Sequence, residues 1–231
     1  MIRATLFDAV GTLIHLREPV GETYARFAHD HGAELPAPAL QAAFAHTMRA
    51  MPPMVFPDRS PAQVGDRERD WWRTLVRSVF AAAGGAMRPA TFERCFDQLF
   101  AHYAGAAVWR CADGAVDLLA ALRTRGVRTG VISNFDYRLP RLLAALGLSE
   151  LLDVVVLPAD AGAAKPSSRI FACALDRLGV RPNEAVYIGD DADDCIAGAQ
   201  SAGLHAIDVA VVSDLRALLP LIDRRSIPVA E

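Results

Sequence analysis

The sequence predicts an α/β fold: a parallel sheet core with a helical domain inserted after the first strand. Three observations carry this. From Gly114 onward, short apolar β-branched runs alternate with segments of helical periodicity, the pattern of a parallel sheet covered by helices on both faces. One more such run, Ile2 to Phe7, opens the chain. Between them, 16–105 shows helical periodicity and almost no period-two alternation.

The first strand is Ile2 to Phe7. Helices are expected at 18–31, where Val20, Tyr24, Phe27 and Ala28 share a face, and at 38–50, 61–83 and 89–104. Met51-Pro52-Pro53-Met54-Val55-Phe56-Pro57 interrupts the set. Strands follow at 127–133, 153–157, 185–189 and 205–209, with helices at 114–125, 138–146, 168–178 and 194–202. Each of these helices runs into a glycine, a frequent helix stop. Met54, Phe56, Trp71 and Trp72 read as packing residues of the helical insertion.

With 231 residues, 52% hydrophobic and 22% charged, the chain is long enough for one large domain or two modest ones. A net charge of −3 leaves no basic footprint for nucleic acid. No apolar run reaches the roughly 18 residues of a membrane helix, and no signal peptide is read at the start. Cys95, Cys111, Cys173 and Cys195 have no CxxC spacing and read as reduced thiols, which points to a cytoplasmic protein.

Ligands of open α/β sheets bind beyond the carboxyl ends of the strands. There the first strand gives Asp8, 127–133 gives Ser133 and Asn134, and 185–189 gives Asp190, Asp191 and Asp194. The loop after 153–157 leads to Lys165-Pro166. A carboxylate nucleophile, hydroxyl and amide donors, an ammonium and a second acidic cluster are the parts for phosphoryl transfer through an aspartyl-phosphate. Carboxylates also suit Mg²⁺, a hard ion that prefers oxygen. Lys165 stands out further, because the chain has 23 arginines and this single lysine. A compact ammonium fits between a carboxylate and a phosphoryl oxygen where a planar guanidinium does not.

Four motifs, in order, resemble those of the haloacid dehalogenase superfamily: Asp8-Ala9-Val10-Gly11-Thr12-Leu13, Ser133-Asn134, Lys165-Pro166 and Gly189-Asp190-Asp191-Ala192-Asp193-Asp194. The resemblance implies a Rossmann-like core at 1–15 and 106–231 and a helical C1-type cap domain at 16–105. The segments 19–32 (PVGETYARFAHDHG) and 133–139 (SNFDYRL) resemble the HDHD-three-like branch. By this resemblance Asp8 is the nucleophile, and Asp8, the Val10 carbonyl and Asp190 hold Mg²⁺. Thr12 orients the first loop, Ser133 with its neighbour Asn134 meets the phosphoryl group, and Lys165 neutralises charge and steadies Asp8. The second acid of the fourth motif falls four or five residues past the first in the family. Four gives Asp194 and five gives Cys195, so Asp191 or Asp194 supplies the missing carboxylate. Cys195, His29, His31, His46 and His102 are read as taking no part in catalysis.

Val10 departs from the family's phosphatases, which usually carry there a second aspartate that protonates the leaving alcohol and then activates water. General acid–base catalysis contributes about 10²–10⁴-fold, so its loss should slow phosphomonoester hydrolysis by that order. The family's dehalogenases have tyrosine at this position and release halide without a proton, but they replace the Gly-Asp motif that this chain keeps. The expectation is a Mg²⁺-dependent hydrolase acting on a small phosphorylated metabolite, slowed by Val10. The alternatives are a metal-independent 2-haloacid dehalogenase and a catalytically reduced binding protein of the same fold.

Overall fold

The computed structural model describes residues 1–57, 61–85, 87–190 and 195–225. Its central sheet has five parallel strands in the order β5-β4-β1-β6-β7. These are β1 (Ala4–Phe7), β4 (Arg128–Ile132), β5 (Val154–Val156), β6 (Ala185–Gly189) and β7 (His205–Asp208). All four side chains of β1 are buried, as are all five of β6. Strands so enclosed cannot alternate, which is why they read as continuous apolar runs. Helices α5 (Ala115–Thr124), α6 (Leu139–Ala145), α7 (Pro158–Ala161), α8 (Ser168–Leu178), α9 (Ala197–Ser201) and α10 (Leu219–Arg225) accompany the sheet. Ile170, Phe171, Ala174 and Leu178 of α8 pack with Leu6, Ile132 and Tyr187 in one core.

Register sets up the site. Phe7 of β1 lies opposite Val131 of β4 and Ile188 of β6. Asp8 is one residue past that level, and Ser133 and Asp190 are two past it. The three therefore leave the sheet side by side, at its carboxyl edge.

The chain divides into two units. One comprises the described residues of Met1–His15, Val55–Pro57 and Arg110–Glu231, the other those of Leu16–Met54 and Asp58–Trp109. The second unit is made of α1 (Val20–Asp30), α2 (Ala37–Ala50), α3 (Pro61–Ala82) and α4 (Pro89–Ala104). Its core gathers Tyr24, Leu75, Val79, Phe80, Phe92 and Phe96. Arg73 and Arg77, four apart on α3, lie 4.9 Å over Phe96 and 4.3 Å over Phe92 and reach Glu93. Trp71 packs edge-on against Trp72 and donates its indole N–H to the Pro52 carbonyl.

Two short strands escaped the sequence reading: β2 (Ile14–Leu16) and β3 (Trp109–Cys111), which pair as a ribbon. Three-residue strands carry too little periodicity to stand out. Among the described residues no helix is long and apolar enough to cross a membrane.

Candidate active site

The site lies in the sheet unit. Asp8 is almost buried, at 8% exposure, and its Oδ1 accepts the Ala9 N–H at 2.7 Å and meets the Lys165 Nζ at 2.8 Å. The loop that follows is wound around one acceptor. The Ala9 carbonyl takes the N–H groups of Thr12 at 3.4 Å and of Leu13 and Ile14 at 2.9 Å, while Gly11 donates to Ile14. None of these bonds uses the Val10 carbonyl. The Val10 side chain is 36% exposed, unusual for a valine beside so buried a carboxylate. Thr12 is fully buried, and its hydroxyl has no hydrogen-bond partner among the described residues.

Gly11 is where the first and fourth motifs meet. Its φ is +90°, and a Cβ there would overlap the Asp190 carboxylate. The chain therefore needs glycine twice over, for its dihedral and for the close approach. Gly11→Ala is expected to cost on the order of 1–3 kcal/mol of stability and to drive Asp190 from its place. A denaturant titration checks the first effect.

Lys165, 6% exposed, is held at both ends. Asn134 grips its backbone: the Asn134 Oδ1 accepts the Lys165 N–H at 2.8 Å, and the Asn134 amide donates to the Lys165 carbonyl at 3.1 Å. At the other end the ammonium meets Asp8 and donates to the Tyr187 hydroxyl at 3.0 Å. Burial alone would push the ammonium down, but the charge of Asp8 beside it outweighs this and holds Lys165 above its ordinary value. Burial first, and then the charge of Asp8, pushes the Tyr187 phenol far up. Burial raises the Cys195 thiol as well, against the pull of Lys165.

Ser133, 3% exposed, donates its N–H to Val156 at 3.1 Å, and its Oγ accepts from Phe135 at 3.3 Å. The loop beyond is fixed by a pair the sequence reading did not single out. Fully buried Asp136 takes Arg138 in a fork, Nε to Oδ1 at 2.9 Å and Nη2 to Oδ2 at 2.6 Å, and also accepts the Arg138 N–H at 2.9 Å. Asp136→Ala would strand a buried guanidinium, at a cost of about 3–5 kcal/mol. Thermal and denaturant unfolding would show it as a large drop, with Asp136→Asn recovering part.

Asp8, Ser133, Asn134 and Lys165 are thus tied together by direct bonds and strand register, and Asp190 reaches the same loop at Gly11. Asp191 and Asp194 lie outside the described residues. Tyr187, which the sequence reading did not single out, meets the Lys165 ammonium with its hydroxyl, from a position that looks like ordinary core.

A divalent ion is testable against this donor set. Asp8, Asp190 and the Val10 carbonyl offer only oxygen, which fits Mg²⁺, and the glycine at 11 clears the space that Asp190 occupies. Among the described residues no three His, Cys, Asp or Glu side chains group to hold a metal, so these two carboxylates need the carbonyl or a further ligand beside them.

A family model described as haloacid dehalogenase-like hydrolase matches residues 2–202. The human haloacid dehalogenase-like hydrolase domain-containing protein 3 is 37% identical over 227 residues, which is 98% of this chain and 88% of that protein. A HAD phosphatase from Thermococcus onnurineus superposes with a TM-score of 0.59 at 23% identity, covering 90% of this chain and 86% of that one. A 2-haloacid dehalogenase from Pseudomonas syringae superposes with a TM-score of 0.65 at 22% identity, covering 98% and 100%. The fold is thus shared by proteins of both descriptions.

Proposed function

The chain belongs to the haloacid dehalogenase-like hydrolase family, and we propose that within it this protein is a slow, Mg²⁺-dependent phosphatase of a small phosphorylated metabolite in the cytoplasm. The observation that carries the reading is the 2.8 Å pair between Asp8 and the chain's sole lysine, with Asp190 brought to the same loop by Gly11.

In this reading Asp8 attacks phosphorus. A bond forms from its carboxylate oxygen to phosphorus, the bond to the ester oxygen breaks, and the ester oxygen departs with the electron pair as an alkoxide. Water then cleaves the aspartyl-phosphate to inorganic phosphate and restores Asp8. Lys165 orients Asp8 and offsets the charge gathering on the phosphoryl oxygens. The Ser133 hydroxyl donates to one of those oxygens. Asn134 acts on Lys165 rather than on substrate, by fixing its backbone. Asp8, Asp190 and the Val10 carbonyl, with Asp191 or Asp194, would hold Mg²⁺, which would supply the positive charge that lets an anionic phosphate approach a carboxylate. Val10 has no proton to give, so the departing alkoxide must take one from solvent. That makes the enzyme slow on alkyl esters.

The exposed Val10 also favours a second reading, displacement of halide from a 2-haloacid, where no leaving-group proton is needed. A panel of phosphomonoesters and 2-haloacids assayed with Mg²⁺ and with a chelator separates the two. Phosphate release that requires Mg²⁺ and disappears in Asp8→Asn supports the proposal. Halide release without metal overturns it, and binding without turnover assigns the chain to a non-catalytic role.

A further inference from the structure

We infer that Tyr187 is a positioning residue whose hydroxyl aims the Lys165 ammonium at Asp8. An ammonium has three protons and no acceptor. Two acceptors meet it from different sides: Asp8 Oδ1 at 2.8 Å and the Tyr187 hydroxyl at 3.0 Å. With its head held from both, a flexible four-carbon side chain keeps its orientation.

Tyr187 is an expensive residue to place there. It is the largest fully buried side chain, in the middle of an otherwise apolar core. A phenol buried at that depth needs a partner for its hydroxyl, and Lys165 is the partner. The ring is held for this purpose on two sides. Phe171 packs edge-on at 5.3 Å and 84°. On the same face of β6, Gly189 leaves room: a Cβ there would come within 2.9 Å of Tyr187 Cε1 and 3.3 Å of its hydroxyl oxygen. The glycine before Asp190 therefore has a local task, which is to let the phenol lie along the strand and reach Lys165.

The inference rests on the proposed reaction only in treating Asp8 and Lys165 as the reacting pair; the contact itself is measured without turnover. Because Lys165 is the only lysine, protein grown on lysine labelled with ¹⁵N at Nζ has a single side-chain ammonium resonance. In the wild type that resonance should show a nuclear Overhauser contact to the Tyr187 ring protons, a test needing no substitution. Its absence overturns the inference. Tyr187→Phe removes one oxygen and keeps the ring against Phe171. It should shift the ammonium resonance, speed its proton exchange with water, and lower kcat by about 10- to 100-fold with little change in KM. An unchanged resonance, exchange rate and kcat in a folded Tyr187→Phe overturns the inference. If the resonance responds while the wild type has no phosphatase activity, the positioning role stands and the functional reading falls.

Discussion

Arginine at position 165 is expected to be nearly as damaging as alanine, with either substitution lowering kcat/KM for an aryl phosphate by about 10²–10³-fold. The two side chains share a charge, so the prediction concerns shape. The Lys165 side chain is 2% exposed, and its ammonium is held between Asp8 and Tyr187. A tetrahedral head can send one proton to each of two acceptors on different sides. A guanidinium is planar, larger, and aims its donors in one plane. It cannot reach both without pushing Tyr187 into Phe171 or lifting Asp8 from the Ala9 N–H. The backbone cannot yield either, because Asn134 holds both its N–H and its carbonyl. Alanine fails differently, leaving Asp8 nearly buried without its counter-charge. Parallel unfolding measurements would separate lost chemistry from lost fold. If Lys165→Arg keeps more than about a tenth of the activity, charge alone suffices there and the enclosure is unimportant.

What the sequence disclosed and what it withheld divide along local and non-local lines. Helix α8 was expected at 168–178 and runs over Ser168–Leu178, because its start is written locally: the Ser167 Oγ accepts the Arg169 N–H. Strand β6 was likewise readable to the residue, since its apolar run stops at Gly189-Asp190. The candidate residues Asp8, Ser133 and Lys165 were legible as polar residues just past such runs. What each bonds was not. That Asn134 spends its amide on the Lys165 backbone depends on the packing of two loops 31 residues apart. Tyr187 shares a strand face with Gly189 by simple alternation. That this face meets Lys165 follows only from β6 lying next to β1 in the sheet.

Val10→Asp is expected to raise phosphatase activity, by up to about 10²–10⁴-fold on alkyl phosphates. The position is open to solvent and substrate, since the valine is 36% exposed, so a carboxyl group there need not be buried or paired. The loop around it is held by backbone bonds to the Ala9 carbonyl and by the Gly11–Ile14 bond, and these are indifferent to the side chain at 10. The substitution should therefore leave the fold and the Val10 carbonyl where they are while adding a group that can protonate the leaving oxygen and then accept a proton from water. The gain should follow leaving-group basicity. Alkoxides need the proton and should benefit most; phenolates leave nearly unaided, so aryl phosphates should change little. Asp8→Asn in the same background should abolish both rates, which ties any gain to the same nucleophile. If Val10→Asp raises neither class while Mg²⁺ still binds, proton transfer is not what limits this chain. A protein that binds its ligand without turning it over then becomes the better account of an intact Asp8–Lys165 pair beside a valine.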